Sequence, residues 1–184
     1  MPRSALAEFS PPPNRPNPVD LLESQAADRI ADLLRVRYGR MLRSKFAFFR
    51  GAALIMASDL VSDRHTGLTA QLCGDAHVSN FGLFASPERS LVFDINDFDE
   101  TLPGPWEWDV KRLVASVAIV AQENGFGRDE CESVVRTCAQ AYRDRMHTLA
   151  TMRSRPVSIR RTHKRSDARR PRRNDATAFK RCRN

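Results

Sequence analysis

The sequence predicts an α+β fold, a small mixed or antiparallel sheet flanked by helices, followed by a disordered basic C-terminal tail. Three observations predict it. Apolar residues recur at helical spacing on both sides of the chain's centre, at Leu21, Leu22, Ala26, Ile30, Leu33 and Leu34 and again at Val110, Leu113, Val114, Val117 and Val120. Between them, short β-branched and aromatic runs bounded by turn residues read as strands. Beyond residue 152 the periodicity stops, and residues 151–184 carry thirteen Lys and Arg against two Asp.

Residues 1–18, with Pro11-Pro12-Pro13, Pro16 and Pro18, are expected to form an extended leader, because proline cannot sit inside a helix. From Asp20 to about Leu42 the apolar stripe predicts one amphipathic helix with Asp20 as its N-cap. Phe46 to Gly51 is short and aromatic and reads as a strand, whereas Ala52 to Val61 reads as a buried helix. Gly67 breaks the chain. Leu68 to Cys73, Phe81 to Phe84 and Leu91 to Ile95 follow as three strands, the last two joined by a turn over Ser86-Pro87-Glu88-Arg89. After a second break at Pro103-Gly104-Pro105, Trp106 to Glu123 is a helix stopped by Asn124-Gly125. Arg128 to about Met152 is the last helix, with an acidic first turn suited to the helix dipole. Residues 19–152 thus form the expected folded domain.

A chain of 184 residues, 41% of them hydrophobic, fills one ordinary domain. No apolar run reaches the length of a membrane span, and Met1-Pro2-Arg3-Ser4 lacks the apolar core of a secretory signal, so the chain reads as cytoplasmic. Cys73, Cys131, Cys138 and Cys182 show no CxxC spacing and are expected to be free thiols. The net charge of +8 belongs to the tail, since residues 1–150 hold 17 basic against 20 acidic side chains. Three origins fit that tail: a frame shift in the gene, a basic arm for nucleic-acid phosphates, or a merely solvated segment.

The residues that carry chemistry lie after the first strand and after the third. Cys73-Gly74-Asp75-Ala76-His77-Val78-Ser79-Asn80 sets an Asp and an Asn five positions apart, and Asp94-Ile95-Asn96-Asp97-Phe98-Asp99-Glu100 ends the hairpin in carboxylates. Phosphoryl transfer asks a protein for one carboxylate to orient a substrate hydroxyl, and for Asn and Asp oxygens to hold magnesium against nucleotide phosphates. This spacing supplies such a set. In the plainer reading Asp75 and Asn80 cap turns, the acids form a solvated turn, and His77 is a structural histidine that hydrogen-bonds the loop.

The runs Phe48-Phe49-Arg50-Gly51-Ala52-Ala53, Cys73 to Gly82 and Phe93 to Leu113 closely resemble the bacterial domain-of-unknown-function 2252 family, over roughly residues 15–152. Members of that family are longer, which implies a truncated member lacking a C-terminal helical part. Gly74-Asp75-Ala76-His77 with Asn80 is also similar to the catalytic loop of aminoglycoside phosphotransferases and choline kinases, with Cys73 where those proteins have a His. That second resemblance implies a kinase-like fragment. Asp75 would orient or deprotonate the substrate hydroxyl, Asn80 and Asp97 would bind magnesium with Asp94 as the rival ligand, and Asp109 would brace the loop. It further implies magnesium and ATP as cofactors and a small hydroxyl-bearing molecule as substrate. No glycine-rich loop precedes Asp75, so Arg50, paired with Asp59, is the candidate to stand in for the nucleotide-holding Lys–Glu pair. A plain surface arginine is its alternative. Two other readings remain, a catalytically dead pseudokinase scaffold and a nucleic-acid binder that works through the Arg-rich tail.

Overall fold

The computed structural model describes residues 8–9, 11–27 and 29–151. The expectations for the first seven residues and for the basic tail lie outside the described residues. The rest of the leader is not simply extended: the Arg15 amide closes a turn by donating to the Pro12 carbonyl at 3.1 Å. The Arg15 guanidinium then grips both oxygens of Asp59, at 2.6 and 2.8 Å, and ties the leader to the helix that carries Asp59.

Helix α1 spans Pro18–Ala26 and α2 spans Ala31–Met41, so the single helix expected over residues 20–42 is two. Asn17, not Asp20, caps α1, its side chain accepting from the Val19 amide at 2.9 Å, and Pro18 starts the helix where its missing N–H costs nothing. The break comes at Ile30, which adopts an extended conformation. A continuous apolar stripe would serve one partner, but α1 packs on α4 (Ala53–Leu60) and α2 on α3 (Lys45–Gly51). Helix α3 replaces the strand expected over Phe46–Gly51. Ser44 caps it by accepting from the Ala47 amide at 3.0 Å, and Glu123 accepts from the Phe46 amide at 2.9 Å. Two of its first free N–H groups are thereby satisfied, which outweighs the β propensity of its aromatics.

Strand β1, Thr69–Leu72, pairs antiparallel with β4, Leu102–Pro105, while β2, Phe81–Ala85, pairs antiparallel with β3, Leu91–Ile95. The expected single sheet is therefore two, and neither contains a parallel pair. The Pro-Gly-Pro stretch read as a break is strand β4. In a two-stranded ribbon it has one neighbour, so prolines at Pro103 and Pro105 need not donate outward. The β2–β3 turn lies where the sequence predicts it, with Arg89 at φ 57° and the Ser86 amide donating to Ser90 at 2.8 Å.

Helices α5, Glu107–Glu123, and α6, Arg128–Ala150, form an antiparallel hairpin across Asn124–Gly127. Trp106 stacks on Tyr142 with ring centroids 5.7 Å apart. The apolar core is small, with Leu72, Cys73, Ala76 and Ala121 beside Met41, Ala52, Ile55 and Leu60. Buried polar groups, His77, Asn80, Arg112 and Ser116, fill much of the space beneath the Asp75 loop. Apolar surface is left open instead: Leu83, Leu91 and Phe93, which alternate onto one face of the β2–β3 hairpin, are each about two-thirds exposed. No described helix is long and apolar enough to cross a membrane.

Candidate functional site

The loop from Cys73 to Asn80 turns sharply at Gly74, whose φ of +89° is a conformation that side chains disfavour. Helix α5 holds this loop from one face. The Asp109 carboxylate accepts from the amides of Cys73 at 2.9 Å and Gly74 at 3.2 Å. One turn on, Arg112 donates through Nε to Asp75 Oδ1 at 2.5 Å and through its terminal nitrogen to the Phe49 carbonyl at 2.8 Å. Its guanidinium lies 4.3 Å from the Phe49 ring centroid, a cation–π contact. One further turn brings Ser116, fully buried, whose hydroxyl accepts from the Val78 amide at 3.0 Å. Residues 109, 112 and 116 share a helix face because they are three and four apart.

Within the loop, the Asp75 carbonyl accepts from the His77 amide at 2.8 Å and from Asn80 Nδ2 at 2.9 Å. Asn80 is buried, and because its NH₂ is committed to Asp75 its Oδ1 is left as an acceptor. His77 Nε2 lies 3.5 Å from Asp75 Oδ2, and its Nδ1 is buried with no hydrogen-bond partner. The neutral ring therefore carries its proton on Nε2, facing the carboxylate. Burial pushes the imidazole's pKa below its ordinary value; the Asp75 charge opposes this, Arg50 and Arg112 add to it, and Asp97 opposes it weakly. Burial, then the Asp109 carboxylate, push the Cys73 thiol up to about 12, so it remains a thiol at neutral pH.

The depressed His77 pKa has a measurable consequence. Between the folded value and the unfolded value of about 6.5, the unfolded chain binds the proton and the folded chain does not. His77's contribution to stability therefore falls as pH drops below about 6.5, at up to about 1.4 kcal/mol per pH unit. Urea unfolding from pH 7.5 to 5.5 is expected to show this slope, and His77→Gln to flatten it. An unchanged slope would remove the assignment.

The other sequence candidates are spread around the loop. Asp94 lies on exposed β3, with Oδ1 accepting from the Ile95 amide at 2.8 Å, and Asp97 follows that strand. The Asn96 amide donates to the Asn80 carbonyl at 3.0 Å, which sets the acidic segment beside Asn80. Among the described residues no group of three or more His, Cys, Asp or Glu side chains is placed to hold a metal ion. Arg50 sits on helix α3, not on a strand, and does not pair with Asp59, which Arg15 has taken. Arg50 instead borders, with Asp75, Arg29, Arg37 and Glu100, a cavity of about 260 Å³.

Sequence reasoning missed Arg112, Ser116, Arg29 and Arg37. The first two had a signal, a polar stripe Asp109–Arg112–Ser116 through an otherwise apolar helix. Arg29 and Arg37 had none, because only the tertiary fold brings α2 to the loop.

A model of the DUF2252 family, described as an uncharacterized protein conserved in bacteria, matches residues 29–183. The chain belongs to this family. The DUF2252 span begins at Arg29, takes in every residue of the site just described, and continues past residue 152, where the motif resemblance ended. No curated protein and no solved structure gives a significant match.

Proposed function

We propose that this chain is a magnesium-dependent phosphotransferase-like protein that moves a phosphoryl group from ATP to the hydroxyl of a small molecule, on a kinase-like scaffold. One observation carries the reading. Asp75 sits on a loop pinned through its backbone by Asp109, Asn80 and Ser116, and it borders a cavity rich in arginine. A fixed carboxylate beside positive charge is what in-line phosphoryl transfer asks of a protein.

In this reading Asp75 orients the acceptor hydroxyl. The hydroxyl oxygen forms the new P–O bond, the bond to the bridging oxygen of the donor breaks, ADP leaves, and the hydroxyl proton passes to Asp75. Arg112 fixes the carboxylate's rotamer from below, and Asp109 fixes the main chain on which it stands. The donor set suits magnesium, which takes hard oxygens, often one or two carboxylates completed by phosphates and water, and so needs no three-carboxylate cage. Asn80 Oδ1 with Asp97 or Asp94 would hold the ion, whose chemistry when bound is to neutralise the phosphate oxygens. A catalytically dead scaffold is the second reading, favoured by the Arg112 ion pair that already engages Asp75 Oδ1.

The test is thermal unfolding of the full chain with and without ATP and magnesium. A ligand that binds only the folded state adds about 2.7 kcal/mol at a hundredfold excess over its Kd. A magnesium-dependent rise that is lost in Asp97→Asn or Asp94→Asn is expected and names the ligand. No rise in a folded sample would end the transferase reading and leave the scaffold.

A further inference from the structure

The charge of the cavity beside Asp75, on which the transfer reading draws, also points to a class of ligand. Arg29, which precedes α2, Arg37 on α2 and Arg50 on α3 converge on it. Like charges brought together repel, and the pKa of Arg37 shows the strain: it is lowered first by burial and then by Arg29, with Glu100 opposing. Arg37 is anchored by donating to the Gly51 carbonyl at 3.0 Å. The guanidinium groups of Arg29 and Arg50 make no hydrogen bond or ion pair among the described residues. Neither has a carboxylate partner to offset their mutual repulsion.

The carboxylates in the wall do not balance these charges. Asp75 is already neutralised by Arg112, so Glu100 is left as the one counter-charge against three guanidiniums. Two positive charges therefore remain uncompensated, which matches a dianion. The lining carries no aromatic or bulky apolar side chain, Ala53 being its sole apolar side chain, so nothing there would stack a nucleobase or bury a hydrocarbon. At about 260 Å³ the space is smaller than the roughly 300–1,000 Å³ of pockets that enclose whole drug-sized ligands. It has room for a charged group rather than for a whole nucleotide. Guanidinium forks suit tetrahedral phosphate oxygens, which accept paired hydrogen bonds.

We infer that the Arg29–Arg37–Arg50 cavity is a phosphate-binding site that takes the phosphoryl or diphosphoryl end of a ligand next to Asp75. The site goes beyond the phosphotransferase reading, because it would bind phosphate whether or not transfer occurs. The phosphate could belong to a nucleotide donor or to a phosphorylated acceptor.

Calorimetric titration of the full chain tests this, with inorganic phosphate, pyrophosphate, ATP and glycerol 3-phosphate as probes. Arg29→Gln and Arg50→Gln are the informative variants, since neither guanidinium has a hydrogen-bond or ion-pair partner among the described residues, and urea midpoints check that both variants fold. Each is expected to weaken phosphate or pyrophosphate binding by about tenfold, as befits one charge-assisted contact. Glu100→Gln is expected to tighten it. Arginine dependence confined to ATP identifies the donor's phosphates, and dependence confined to glycerol 3-phosphate identifies a phosphorylated acceptor; both uphold the site. Affinity unchanged in the folded Arg29→Gln/Arg50→Gln double variant would put the anion elsewhere, the Arg-rich residues past 152 included, and overturns the proposal. So does failure of all four probes to bind. Phosphate binding without magnesium-dependent stabilisation by ATP would keep the anion site and remove the transferase.

Discussion

Arg112→Leu is expected to cost about 3 kcal/mol of stability, the lower end of the range for breaking a buried ion pair. The Arg112 side chain is 4% exposed, whereas that of Asp75 is 19% exposed, so water partly screens the carboxylate left behind. The loss has several physical parts. Asp75 keeps its charge next to the buried His77, the Phe49 carbonyl loses its donor, and the Phe49 ring loses the cation above it. Arg112→Lys should recover less than half, because an ammonium cannot reach Asp75 and the Phe49 carbonyl together with a fork's geometry. Combining Arg112→Leu with Asp75→Asn should recover most of it, since the uncompensated charge is then gone. Urea midpoints at constant m-value measure all three. A loss under about 1 kcal/mol for Arg112→Leu would mean that the pair contributes no more than a surface salt bridge.

Gly74→Ala is expected to be at least as damaging. A methyl group at this position would lie 1.8 Å from the Glu100 carbonyl oxygen, and the φ of +89° is unfavourable for alanine in any case. Both sides of the clash are backbone, so no rotamer change relieves it. Backbone strain of about 1–3 kcal/mol and overpacking of a similar size give a combined cost of roughly 2–6 kcal/mol. Gly39→Ala is the matched control. Gly39 lies inside helix α2 with nothing within 4 Å of its would-be methyl, and the change should stabilise by about 0.5–1 kcal/mol. Equal effects at the two positions would refute the close approach of the loop to Glu100.

The elements that sequence located well are those whose pattern and surroundings agree. Helix α5 carries unbroken periodicity ended by Asn124-Gly125, α6 opens on an acidic first turn, and the β2–β3 hairpin has apolar runs around a Ser-Pro-Glu-Arg turn. The misread elements are those where tertiary contacts decide. Phe46, Phe48 and Phe49 favour a strand locally, yet Ser44 and Glu123 complete a helix start there. Two prolines hid β4, which tolerates them because β1 is its one partner. The stripe from Leu21 to Leu34 looked like one helix because periodicity cannot say that its halves face different neighbours. In the site, Asp75 and Asn80 were singled out by local spacing and Asp109 by the resemblance alone. The arginine cavity was not, since it gathers Arg29, Arg37 and Arg50 from different elements with Asp75 and Glu100, which come together only after folding.

Helix α5 holds the reactive loop by Asp109, Arg112 and Ser116 and also carries α6 along its length. Those ties make it a lever. Between Asp109 and its C-terminal end the helix is about 21 Å long, so a tilt of five degrees about that end carries the loop roughly 2 Å. Any rotation of α5 about that end would carry Asp75 and α6 together, so the position of the carboxylate is tied to the packing of a helix that does not touch it.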